Sequence, residues 1–164
     1  MIKCIDDKEN VLISKITYED KLTITLDKND MVQSIECNLP VLGEGMDRIV
    51  YDLSNEKVLK VAKSIRASCI NWDEITIFEN IKGKECIVHF PIVYEYEESY
   101  GFWYVCERIT MSSKAMTQVL KFVPCLDCSD NAGYNKEGKL TIVDADRLNW
   151  TWFVKSENPY AKNV

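Results

Sequence analysis

The stretch VLGEGMDRIVYDLSNEKVLKVAK, residues 41–63, organises the rest of the chain. It divides into a short apolar strand, a turn punctuated by Gly43 and Gly45, and a strand over residues 48–53. The turn Ser54-Asn55-Glu56-Lys57 then leads to a third strand, residues 58–63, that carries Lys60. Glycine permits backbone angles and a close approach that a side chain would block. The two longer segments have the β-branched content and turn-bounded length of strands. Period-two alternation puts Val58, Lys60 and Ala62 on one face of the third strand, so the lysine sits among small apolar groups.

Composition narrows the field. The chain has 164 residues, enough for one domain with a real core or one domain plus an extension. With 46% hydrophobic and 28% charged residues it has an ordinary globular composition. A net charge of −6 argues against a general binder of nucleic acid or of anionic membranes, and leaves acidic mimicry of nucleic acid as a minor alternative. No apolar run reaches membrane-spanning length. The start MIKCIDDKEN carries acids where a signal peptide needs basic residues, so no membrane association and a cytoplasmic location are expected. The seven cysteines are dispersed and odd in number, which fits reduced thiols. Cys125 and Cys128 form a lone CxxC; a structural zinc site would need a second pair, so a chance spacing is expected.

Upstream, residues 21–26 (KLTITL) alternate apolar and polar, and with residues 12–17 across Tyr18-Glu19-Asp20 they predict a β-hairpin. Residues 31–39 fit a strand or a short helix. Residues 1–40 are therefore expected to form an N-terminal extension built on a hairpin, either an added sheet or a partner-binding surface.

Downstream, residues 71–81 predict a helix with Asn71 as its N-cap and Asp73 and Glu74 at the positive end of its dipole. Ile70, Glu74, Ile77, Phe78 and Ile81 share one face, so Glu74 lies within an apolar stripe. A buried carboxylate must be paired or hydrogen-bonded. Lys60 and Glu74 could satisfy each other; the alternative is a snorkelling Lys60 and a solvent-facing Glu74. Residues 92–96 and 102–108, joined by the turn 97–101, predict an antiparallel pair. Residues 110–122 predict one amphipathic helix with Met116, Val119 and Leu120 inward, ended by Pro124. Residues 132–134 and 140–143 flank a small turn and predict a second hairpin ending at Asp144. Trp150, Trp152 and Phe153 are expected to cover the core rather than to cage a ligand.

Taken in order, LGEGMDRIVYDL, VLKVAK, NWDEITIFEN, FPIVYEYEESYGFWYVCERI and DNAGYNKEGKLTIVDAD resemble the small protein-kinase-like proteins of phages and prophages. The likeness runs from about Leu42 to Leu148, roughly two-thirds of the chain. It implies an α+β, protein-kinase-like fold: an antiparallel N-lobe sheet with one main helix and a much reduced C-lobe, over residues 41–164. By the same resemblance Gly43 and Gly45 would cover the phosphates of ATP, Lys60 would hold them, and Glu74 would hold Lys60. The backbone around Glu107, where residues 106–109 leave the sheet, would meet the adenine edge. Asp144 resembles the magnesium-binding aspartate of DFG, and Asn131, 13 residues earlier, the second metal ligand. Two oxygen ligands of that kind suit Mg²⁺. Both are also ordinary strand-end and turn residues.

The departures bear on activity. In the kinase pattern HRDxxxxN the catalytic aspartate stands five positions before the asparagine. Here that position is Leu126, with Asp127 one residue late and no histidine nearby, so Asp127 is either shifted into place or unrelated. Asp144-Ala145-Asp146 lacks the Phe and Gly of DFG, and only 20 residues follow Asp144, too few for an activation segment and substrate-holding helices. The resulting expectation is a degenerate kinase-like protein that binds a protein partner, as a viral inhibitor of a host or defence protein. The alternatives are a minimal ATP- and Mg²⁺-dependent kinase with Asp127 as base, and the acidic mimic.

Overall fold

The structure, a computed structural model, describes residues 1–6, 11–126, 131–145 and 148–163. It is an α+β fold with antiparallel sheets and, among the described residues, two α-helices. It divides into two units, residues 1–71 with 94–105 and residues 72–93 with 106–164.

The first unit opens with four strands, β1 (Ile2–Asp6), β2 (Val11–Tyr18), β3 (Leu22–Leu26) and β4 (Val32–Cys37), paired in chain order as an antiparallel meander. The predicted hairpin is β2–β3. Alternation along β3 sends Leu22, Ile24 and Leu26 into the core. Residues 32–37 resolve as a strand, and the register explains why the sequence is ambiguous there. Cys37 pairs with Leu22 and Ile35 with Ile24, but a bulge at Thr25/Leu26 brings Val32 opposite Leu26. The bulge converts a helix-like spacing of three into strand pairing.

A five-stranded sheet follows, with β5 (Val41–Glu44), β6 (Arg48–Ser54), β7 (Lys57–Ala62), β8 (Val93–Tyr96) and β9 (Trp103–Glu107) in the order β5-β6-β7-β9-β8. Residues 58–62 of the inner strand β7 are all buried, where alternation alone suggests a half-buried strand. Residues 1–40 share one core with this sheet. Ile16 and Ile24 belong to the same cluster as Tyr51, Leu59, Val61 and Phe102, and Tyr18 lies against Trp103 with ring centroids 4.7 Å apart. The Trp103 indole donates to the Thr17 carbonyl at 3.1 Å, and the Tyr18 hydroxyl donates to Glu95 Oε1 at 2.9 Å.

The turn between β8 and β9 is built on Glu97. Its carboxylate accepts the N–H groups of Ser99 (2.7 Å), Tyr100 (3.0 Å) and Phe102 (3.1 Å), and the Ser99 hydroxyl. Burial disfavours the charged form, but the hydrogen bonds from Ser99, Phe102 and Tyr100 outweigh it and hold the carboxyl below its ordinary value. A depressed carboxyl contributes stability that is fully present above its unfolded pKa and is lost as pH falls through its folded pKa. Glu97→Gln is therefore expected to be less stable than the parent at neutral pH. The gap should close on acidification below the ordinary carboxylate range, and melting curves across pH would check it. A gap independent of pH would show that the charge plays no part.

Helix α1 (Ile65–Ile81) corrects the predicted start at Asn71. The Ser64 hydroxyl accepts the Ala67 N–H at 3.0 Å and caps the helix, so Asp73 and Glu74 lie in its middle rather than at its positive end. Asn71 is fully buried. Its side-chain amide donates to the carbonyls of Gly101 (2.8 Å) and Phe102 (3.2 Å), and its oxygen accepts from Arg48 Nη1 at 3.3 Å.

In the second unit, β10 (Thr110–Met111), β11 (Ala132–Tyr134) and β12 (Leu140–Ile142) form an antiparallel three-stranded sheet in that order. The hairpin predicted at 132–143 is β11–β12. The single helix predicted over 110–122 is shorter: Thr110 and Met111 pair with β11, Ser112 caps, and α2 is Ser113–Val119. Ala115, Met116 and Val119 face inward, whereas Leu120, past the helix end, is exposed. In the tail Phe153 is buried edge-on to Phe90, and Trp152 stacks on Tyr160 with centroids 5.9 Å apart. Among the described residues no helix is long and apolar enough to cross a membrane.

Candidate functional site

In the first unit, Gly43 lies on β5 and Gly45 in the turn to β6. Neither is needed by the packing of the chain itself. A Cβ on Gly43 would meet nothing within 4 Å, one on Gly45 only the Arg48 carbonyl at 3.9 Å, and neither residue has a positive φ. Lys60 is 4% exposed, faces Val50 across the β6–β7 ladder, and places Nζ 5.5 Å from the Tyr104 ring centroid, within cation–π range. A lysine this buried does not snorkel.

One residue that sequence reasoning missed holds the glycine turn. Lys63, just past β7, donates through Nζ to the Gly45 carbonyl at 2.8 Å and pairs with Glu44 Oε1 at 2.5 Å. Its backbone N–H donates to the Asp47 carbonyl at 2.9 Å. The bonding role of Asn71 was missed as well. Its place near Glu74 on the inner helix face was the available signal, since a polar residue there must find partners.

In the second unit, Glu74 is fully buried in α1 and does not face solvent. Its Oε1 accepts the Ala145 N–H at 3.2 Å, which pins the residue that follows Asp144. The β11–β12 hairpin brings Asn131 and Asp144 together: Ala132 pairs with Ile142, and the Val143 N–H donates to the Asn131 carbonyl at 2.8 Å. The two expected metal ligands thus stand at one end of one hairpin, both partly exposed. Glu107, the last residue of β9, is buried. Its N–H donates to the Ile92 carbonyl at 2.9 Å, and its Oε2 accepts the Ile92 N–H at 3.5 Å. Asp127 lies outside the described residues, as does Cys128. Leu126, at the position where the kinase pattern has its aspartate, is partly buried and donates its N–H to the Val123 carbonyl at 3.1 Å. Among the described residues no three of His, Cys, Asp and Glu gather as a metal site. The donor set that the hairpin offers is one Asn and one Asp, hard oxygen ligands of the kind Mg²⁺ accepts.

No family profile matches the sequence, and no curated protein matches it. A solved structure similar to the chain is the Legionella pneumophila Lpg2603 kinase bound to IP6, at 11% identity and a TM-score of 0.32, over 99% of this chain and 72% of that one. A likeness at that level assigns no role to any residue.

Burial accounts for two of the thiols. It pushes those of Cys37 and Cys86 above the ordinary value, which keeps both in the protonated form. Cys125 is free and exposed.

Proposed function

We propose that the chain is a reduced kinase-like protein that acts by binding a protein partner, and that the partner is a host or defence protein. The observation that carries this reading is a contrast within one unit. The hairpin sets Asn131 beside Asp144, with Glu74 on the next residue, while Leu126 occupies the position of the catalytic aspartate. On this reading the ligand-holding positions are kept, while Leu126 stands where the kinase pattern has its base. The resemblance to phage-encoded proteins supports the choice of partner class.

ATP with Mg²⁺ is the ligand proposed for the kept positions. Gly43 and Gly45 would lie over the phosphates with Lys60 on them, and the backbone at Glu107 would lie by the adenine. Asn131 and Asp144 would hold the metal. The second reading, a minimal kinase with Asp127 as base, is favoured by the same metal pair. It requires that loop to place a carboxylate well, because an error of about an ångström can cost some hundredfold in rate.

A thermal-shift titration with ATP and Mg²⁺ tests the ligand. Nucleotide at 100 times its Kd should add about 2.7 kcal/mol of apparent stability, and Lys60→Ala and Asp144→Ala should abolish the gain. Gly43→Ala should reduce the shift while leaving the unliganded melting temperature alone, since its Cβ meets nothing in the chain. Absence of any shift at millimolar ATP would remove the ligand. In a pull-down from host lysate, a single partner retained by Lys60→Ala and Asp144→Ala supports the binding reading. Mg²⁺-dependent phosphate transfer that both substitutions abolish would favour the kinase instead.

A further inference from the structure

We propose that Lys63 is the positioning residue of the glycine turn, fixing residues 44–48 in the shape that receives an anionic phosphate group. The phosphate part rests on the nucleotide reading of the same turn; the fixing of the turn does not.

Residues 41–47 are all exposed, and Met46 at the tip is 92% exposed. A Cβ on either glycine would meet nothing closer than the Arg48 carbonyl at 3.9 Å, so no side-chain packing surrounds them. The turn therefore takes its shape from polar contacts rather than from packing. One is internal, the Gly45 N–H donating to the Arg48 carbonyl at 2.9 Å. Three more come from Lys63, which grips the Gly45 carbonyl, the Glu44 carboxylate and, through its backbone, the Asp47 carbonyl. Both limbs of the turn are thus tied to one residue at the end of the strand that carries Lys60.

An exposed lysine–carboxylate pair is usually worth little, because two long side chains must be ordered for one contact in water. Two features set Lys63 apart. Its backbone is already held by Asp47, and its side chain is only 28% exposed. The ammonium also donates to a main-chain carbonyl, a charge-assisted bond that acts on the backbone itself. There is an electrostatic consequence as well. Glu44 stands between the two glycines, where an unpaired carboxylate would repel a phosphate. Lys63 cancels that charge while it shapes the loop.

Amide hydrogen exchange and ATP titration of the full chain, with Lys63→Met, Lys63→Arg and Glu44→Gln, separate these effects. Lys63→Met should speed exchange at the Gly45 amide by about fivefold or more and weaken ATP by about 5- to 10-fold. Lys63→Arg should restore both, because a guanidinium can reach the same carbonyl and carboxylate. Glu44→Gln should leave ATP affinity no weaker than the parent value, since it removes the repelling charge while the Lys63 ammonium still donates to the Gly45 carbonyl. Unchanged exchange in Lys63→Met would overturn the proposal, and so would faster exchange with ATP affinity unaltered. If the parent protein gives no ATP shift while Lys63→Met still speeds exchange, the nucleotide reading fails and the hold on the turn stands.

Discussion

Asn71→Leu is expected to cost the first unit about 3 kcal/mol, because it removes a buried polar group whose partners stay behind. The Gly101 and Phe102 carbonyls would lose the donor that ties α1 to the β8–β9 turn, and Arg48 would lose an acceptor. Leucine leaves no sizeable cavity, so the loss reports on hydrogen bonds rather than on packing. Asn71→Asp separates the roles: it keeps an acceptor for Arg48 but turns a carboxylate toward two carbonyls. It should be at least as damaging at neutral pH. Urea unfolding at constant m-value measures both. A loss under about 1 kcal/mol for Asn71→Leu would show that the three bonds add almost nothing to stability.

The same residue shows where sequence reasoning stops. Asparagine ahead of an apolar stripe is a sound helix-start signal, and it fails here because Asn71 bonds to residues 101 and 102, on a hairpin well removed in sequence. Local pattern carries no information about that partner. Ser64, the observed cap, is no stronger a signal than Asn71, and the β-branched and thiol residues after it weaken the helix reading of 65–70. Elements set by near neighbours are legible: the β2–β3, β6–β7, β8–β9 and β11–β12 hairpins all lie where turns and alternation put them. Elements defined by distant pairing are not. Thr110 and Met111 read as helix because two residues have no periodicity, and only β11 makes them a strand. Part of the candidate site's geometry is legible for the same reason. Asn131 and Asp144 flank one local hairpin, so their spacing encodes their proximity, and the burial of Glu74 follows from the periodicity of α1. Lys63 is hidden because its side chain acts on a turn that is close only once β6 and β7 have paired.

Gly133→Ala is the second large effect, and it joins the fold to the proposed metal pair. A Cβ at position 133 would stand 2.2 Å from the Thr110 carbonyl oxygen, 2.7 Å from Ile109 Cγ2 and 3.0 Å from the Thr110 carbonyl carbon. Two of these are main-chain atoms, which no rotamer change can move. The β10–β11 pairing, in which Met111 faces Gly133, must open to admit the methyl group. Overpacking of this kind costs about 1–3 kcal/mol when the surroundings can shift; a backbone obstacle places the expected loss near 3 kcal/mol. For a chain of this size that is a fall in melting temperature of about 6–12 °C. Because Asn131 precedes the first residue of β11 by one position, displacement of that strand should also disturb the place where Asn131 meets the residue before Asp144. Calorimetry with and without ATP and Mg²⁺ reads both effects in one sample set. Gly43→Ala serves as the control for glycine replacement as such, since it should leave the unliganded melting temperature unchanged. A fall of less than about 2 °C in Gly133→Ala would mean that β10 moves aside at little cost. Gly133 would then be a feature of close packing without a structural demand behind it, and the three-stranded sheet would not be what holds Asn131 beside Asp144.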